Sequence, residues 1–156
     1  MAHPHRSRFT PRPTVYRGIK MRSRLEASAA ASFDAHRIEW SYEPRCYADQ
    51  HAQYLPDFEL WRKCAYIPTI YLEMKGLADP SEQNVRSFLT RMEVIWSSEP
   101  DARLAFIGTG LGHAWQGVGG EWWQGMFPVE IADVGAFFCP GCEPCVEASE
   151  AREAAR

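Results

Sequence analysis

The feature that most limits what this chain can fold into is a pair of short apolar stretches carrying charges where a core is expected. Tyr54-Leu55-Pro56-Asp57-Phe58 and Tyr71-Leu72-Glu73-Met74-Lys75-Gly76 both alternate apolar or aromatic residues with polar ones, and both are expected to be strands. A short break at Arg62-Lys63-Cys64 separates them. Successive side chains on a strand point to opposite faces, so Glu73 and Lys75 share one. Two carboxylates and an ammonium in so apolar a hairpin must be paired, metal-bound or open to a cleft, because a lone buried charge is costly. Two hard oxygen ligands on neighbouring strands suit Mg2+ and the phosphate oxygens it binds. A lysine one repeat further along can position or deprotonate an attacking water.

Upstream, Ser23 is a good helix N-cap and Glu26 follows it at capping-box spacing. An alanine-rich helix is expected over residues 24–36, with Leu25, Ala29, Ala30 and Phe33 on its apolar face. Glu26 has two readings: a purely structural cap, or a carboxylate turned towards the charged strands. The second is favoured because this helix feeds directly into them. Residues 37–44 alternate strictly, with Ile38, Trp40 and Tyr42 on one face, and read as a strand ended by Pro44. Residues 45–53 read as polar turn.

After the second charged strand, Gly76 lets the chain turn away, and Asp79-Pro80-Ser81-Glu82 marks a helix start. Val85, Phe88, Leu89, Met92 and Ile95-Trp96 recur at helical spacing, with Arg86 and Arg91 read as solvated. Residues 103–108 read as a fourth strand, parallel to the third if the helix is a crossover. The glycine-rich segment 108–125 reads as loop. Its Trp115, Trp122 and Trp123 are expected to cap a core edge more readily than to stack on bases. Residues 127–131 read as an edge strand, and residues 147–156 as a frayed helix or tail.

Taken together, Pro56-Asp57, Glu73-Met74-Lys75 and the helical Glu26 resemble the signature of the PD-(D/E)XK nuclease superfamily. The likeness spans residues 16–110 in the order helix, three strands, helix, strand. It implies an α/β fold with a restriction-endonuclease-like core: a central mixed sheet of four to five strands flanked by helices. It implies a Mg2+-dependent endonuclease, with Mn2+ as a substitute, that hydrolyses DNA to 5′-phosphate and 3′-hydroxyl ends. By that resemblance Asp57 and Glu73 ligate the metal beside the Met74 carbonyl, Glu26 completes the site, and Lys75 orients the water. A small chain with no separate target-recognition region fits a structure-selective enzyme, resolvase-like and then homodimeric. Such compact, arginine-rich chains look like those of phages.

Charge is distributed unevenly. Residues 1–24 hold Arg6, Arg8, Arg12, Arg17, Lys20, Arg22 and Arg24 and no acid, although the whole chain carries a net charge of -3. Arg17, Lys20, Arg22 and Arg24 are therefore candidate phosphate contacts, with a solvated helix end as the alternative for the last two. Residues 1–15 are expected to be a basic arm without regular structure, residues 16–138 the nuclease-like domain, and residues 139–156 a cysteine-containing tail.

Cys139-Pro140-Gly141-Cys142-Glu143-Pro144-Cys145 has the spacing of a zinc knuckle. Its third cysteine is too close for a second separated pair, so structural Zn2+ and a degenerate knuckle both stay open, with Cys46 and Cys64 as further thiols. No run of apolar residues could cross a bilayer, and a cytoplasmic protein of a bacterial or phage-infected cell is expected. There is no P-loop, no G-x-S-x-G elbow and no HExxH. Two other classes remain: a nucleic-acid-binding module on a nuclease scaffold, idle in catalysis, and a zinc-dependent interaction protein. The joint presence of Asp57, Glu73 and Lys75 argues against the first.

Overall fold

Strand alternation places the sheet. On the strand Ile70–Gly76, Ile70, Leu72 and Met74 belong to one buried cluster and Tyr71 to another, so this segment has apolar contacts on both faces and lies inside the sheet. The computed structural model describes residues 11–35, 38–61, 69–76, 82–109 and 113–126. In chain order the elements are strands β1 (Thr14–Tyr16) and β2 (Ile19–Met21), helix α1 (Arg24–Ala35), strand β3 (Glu39–Tyr42), strands β4 (Tyr47–Ala48) and β5 (Gln53–Tyr54), then β6 (Phe58–Trp61) and β7 (Ile70–Gly76). Helix α2 (Glu82–Met92) runs into a 3-10 turn, Glu93–Ser97, and is followed by β8 (Arg103–Thr109), β9 (His113–Val118) and β10 (Glu121–Met126).

Six strands form one mixed sheet in the order β10-β9-β8-β7-β6-β3. All neighbours are antiparallel except β7 and β8, which run parallel from Ile70 opposite Arg103 to Gly76 opposite Thr109. A parallel pair needs a crossover, and α2 with its 3-10 extension lies between these strands in the chain. The small pairs β1-β2 and β4-β5 stand apart from this sheet.

Each face of the sheet has its own core. On one, Ala27, Ala29, Ala30 and Phe33 of α1 join Met21, Phe58, Leu60, Leu72, Met74 and Ala105. Alanine carries no side-chain entropy cost in a helix and lets the backbone approach the strands closely. Phe33 meets Phe58 edge to face, with ring centroids 5.3 Å apart. Each of these fully buried rings contributes roughly 2–3 kcal/mol of apolar transfer. On the other face, Val85, Leu89 and Met92 of α2 join Ile95, Tyr47, Tyr54, Tyr71, Leu104 and Phe106. The two cores pin β7 between α1 and α2, which fixes the charged end of that strand.

Three expectations are corrected. Among the described residues the sheet has six strands, not four to five, because the glycine-rich segment forms the hairpin β9-β10 rather than a loop. Gly119 and Gly120 take φ of 57° and 93°, the left-handed conformations a two-residue hairpin turn demands, so the glycines close strands here. Residues 45–53 are not all turn: β4 and β5 pair through Tyr47–Tyr54 and Ala48–Gln53, and both tyrosines are buried. Finally, Tyr54 to Phe58 is not one strand. Pro56 has no N–H and restricts Leu55, so β5 stops at Tyr54 and β6 begins at Phe58, leaving Asp57 in the bend between them.

Helix α1, the strand at Trp40, helix α2 and the parallel fourth strand lie where the sequence put them. The break at Arg62-Lys63-Cys64, the helix start at residues 79–81, the basic residues Arg6 and Arg8, the edge strand at 127–131 and the Cys139–Cys145 run lie outside the described residues. No helix among the described residues is long and apolar enough to cross a membrane.

Candidate active site

Asp57 is held by the ladder it interrupts. Phe58 pairs with Leu72, so Asp57, one residue earlier, comes level with Glu73 on the antiparallel neighbour. Its side chain is fully buried and its Oδ2 accepts the Met74 backbone N–H at 2.8 Å. A carboxylate thus continues the β6-β7 hydrogen bonding where Pro56 ends it. Oδ1 accepts from the Arg22 guanidinium.

Glu73, 4% exposed, is held at both oxygens. Lys75, two residues on and on the same face, sets its ammonium 2.6 Å from Oε1, and the Tyr54 hydroxyl donates to Oε2. Lys75 is about a quarter exposed, at the rim of the buried pair. Burial, then the charge of Glu73, pushes the Tyr54 phenol well above its usual pKa, so it remains a donor.

Glu26 joins the group from α1. Ser23 Oγ accepts the Glu26 N–H at 3.2 Å, the capping contact read from the sequence. The Glu26 carboxylate, however, does not turn back on Ser23: Oε2 accepts the Arg22 N–H at 3.0 Å and the Tyr42 hydroxyl at 2.6 Å. With 4% exposure it is a buried carboxylate as well as part of a cap. Burial, then this hydrogen bond, raises the Tyr42 phenol to about 12.

Arg22 ties these groups together. Its backbone N–H reaches Glu26, its Nε lies 3.0 Å from Glu43 Oε1, and its Nη2 is on Asp57. Burial lowers the Arg22 pKa, but the Tyr42 phenol and the Asp57 and Glu26 carboxylates outweigh it, and the guanidinium stays charged. Glu43 itself is fixed by a backbone bond, its N–H donating to the Asp57 carbonyl at 2.9 Å.

Four carboxylates, Asp57, Glu73, Glu26 and Glu43, therefore answer to two cations, Arg22 and Lys75. The excess negative charge is felt at Asp57, whose pKa rises to about 7, first through burial and then through Glu73; Lys75, the Met74 N–H and Arg22 oppose the rise. Clustered hard oxygen donors such as these are the kind that a divalent cation such as Mg2+ takes. Among the described residues no three His, Cys, Asp or Glu side chains converge as a preformed cage, and Arg22 and Lys75 stand on Asp57 and Glu73.

The structure brings Asp57, Glu73, Lys75 and, through Arg22, Glu26 into one network. Of the four candidate phosphate contacts, Arg22 lies inside it. Arg17 is paired with Asp34 at 3.1 Å, at the turn of the β1-β2 hairpin, while Lys20 and Arg24 are exposed. Sequence reasoning missed Tyr54, Tyr42 and Glu43. Tyr54 and Tyr42 read as apolar-face aromatics, and only the two-residue spacing of Tyr71 and Glu73, with a second tyrosine opening the first motif strand, could have hinted at a phenol on Glu73. Comparison with protein-family models, curated proteins and solved structures finds no match to this chain.

Proposed function

We propose that this protein is a Mg2+-dependent endonuclease of the PD-(D/E)XK type, built on a restriction-endonuclease-like core, that hydrolyses DNA phosphodiesters. The observation that carries the reading is the side-by-side burial of Asp57 and Glu73 with Lys75 on the same strand face. The order of α1, three antiparallel strands, α2 and a parallel strand supports it. A divalent ion held by Asp57, Glu73 and Glu26, with Mn2+ as a substitute for Mg2+, would supply Lewis acidity at the scissile phosphate and acidify water. The chain's own groups do the rest. Lys75, at the rim, holds the attacking water by its ammonium and offsets negative charge developing on the phosphate. Tyr54 keeps Glu73 turned to the site, and the Met74 N–H does the same for Asp57. Water adds to phosphorus and the bond to the 3′ oxygen breaks, which leaves 5′-phosphate and 3′-hydroxyl ends.

Lys20 and Arg24, exposed on either side of Arg22, offer charge to the flanking phosphates. A homodimer would cut two strands symmetrically. A second reading, a nucleic-acid-binding module without catalysis, draws on the cations already standing on Asp57 and Glu73. The test is incubation with labelled linear duplex, single strand, flap and four-way junction, each with Mg2+, Mn2+ or EDTA, beside Asp57→Ala. Metal-dependent cutting lost in the variant is expected. Binding without cutting under every metal would favour the second reading.

A further inference from the structure

The charge deficit of the acid cluster leaves one cation in an unusual place. Arg22 stands on a fully buried carboxylate, Asp57, and reaches it from a half-exposed position. Its guanidinium contacts Oδ1, while Oδ2 is occupied by a backbone N–H that a folded β7 keeps in place. Oδ1 is therefore the Asp57 oxygen that can be given up without opening the sheet. The second anchor of the fork, Glu43, is about one-third exposed and is tied to Asp57 through the backbone, its N–H on the Asp57 carbonyl, and not through Oδ1. Arg22 can thus leave Asp57 and remain ion-paired.

We infer that Arg22 is the resident counter-ion of the site: its guanidinium occupies Asp57 Oδ1 in the metal-free protein and is displaced, towards Glu43 and solvent, when a divalent cation binds. The inference rests on the nuclease reading in taking Asp57 as a metal ligand. Two cations compete for one buried oxygen, so the ion pair offsets part of the cost of the buried Asp57 charge in the metal-free fold and at the same time weakens metal binding. An arginine that merely buttressed the ion from outside would have the opposite effect on affinity.

Calorimetric titration of Mn2+ into the metal-free protein separates these cases, with Arg22→Gln, Arg22→Lys and Asp57→Ala as variants and circular dichroism to verify folding. Removing the competitor in Arg22→Gln is expected to tighten Mn2+ binding about tenfold. Arg22→Lys keeps the charge but loses the planar fork that bridges Asp57 and Glu43, and is expected to fall between, at about threefold tighter. Should Arg22→Gln fold only with Mn2+ present, the ion has taken over the guanidinium's place, which supports the inference; should it not fold at all, Arg22→Lys carries the test. Mn2+ affinity equal to or weaker than wild type in the folded variants, with Asp57→Ala still abolishing binding, overturns the role of Arg22 and leaves the nuclease reading intact. Wild-type protein showing no Asp57-dependent Mn2+ binding overturns both.

Discussion

The Tyr54 hydroxyl donates to Oε2 of Glu73, so a phenol from the small β4-β5 hairpin fixes the carboxylate of the central strand that Lys75 holds from the other side. The neighbouring pair is built alike: Tyr47 of β4 reaches the Tyr71 hydroxyl, also on β7. The hairpin is clipped to β7 by two phenols, one of them on a proposed metal ligand.

Tyr54→Phe removes that donor without changing the apolar packing. We expect a stability loss of about 1–2 kcal/mol by urea unfolding, since a charged acceptor is left short of a partner. Single-turnover cleavage should slow by about tenfold through loss of orientation at Glu73. Unchanged values for both would mean that Lys75 alone orients Glu73.

Asp57 sets a pH dependence with a definite sign. Its folded-state pKa, about 7, lies above the ordinary aspartate value of 3.8, so the folded chain binds this proton more tightly than the unfolded chain. The contribution is fully present below the unfolded pKa and is lost as pH rises through the folded one. Asp57→Asn lacks it. In EDTA, wild-type stability should fall relative to the variant between pH 4 and 7, with a limiting slope of about 1.4 kcal/mol per pH unit. Carboxylates with lowered pKa, such as Asp34 and Asp49, act the other way but equally in both proteins. Urea unfolding of the pair across this range checks it; a difference that does not vary with pH would contradict the burial argument.

Gly117 tests the second core without touching the site. A Cβ there would meet ring carbons of Trp96 and Trp122 at 2.9 Å, between two indoles whose centroids are 5.4 Å apart. Trp96 is also tied to the Ala102 carbonyl and Trp122 to Glu93, so neither ring is free to retreat. Gly117→Ala should cost about 1–3 kcal/mol in a thermal or urea melt. Cleavage per folded molecule should be unchanged, because the two indoles belong to the 3-10 turn and β10, not to the elements that carry Asp57, Glu73 and Lys75.

What could be read in the sequence was whatever depends on local periodicity. Helix α1, helix α2 and the alternation around Trp40 and Leu72 announce themselves because each carries a stripe of apolar residues at its own period. The shared face of Glu73 and Lys75 followed from the same rule and appears as their 2.6 Å pair. The hairpin β9-β10 was misread because its glycines serve two purposes: Gly119 and Gly120 turn the chain, whereas Gly117 makes room for two indoles. Composition does not distinguish these roles. Alternation alone places Asp57 on a strand, but Pro56 excludes it from the ladder and its side chain supplies the missing acceptor. Arg22, Tyr42 and Glu43 became part of the site only through contacts between α1, β2 and β3, which no local pattern encodes.

The measurement that tests the central claim most directly is single-turnover cleavage of the preferred DNA by Lys75→Ala, with DNA and Mn2+ affinity determined on the same preparation. Lys75 touches Glu73 and stands at the rim, so its loss should spare DNA affinity to within about threefold and leave Mn2+ affinity at least as tight as wild type, while the cleavage rate drops by about 100-fold or more. Cleavage at the wild-type rate in this variant would remove Lys75 from the chemistry and contradict the account of the site.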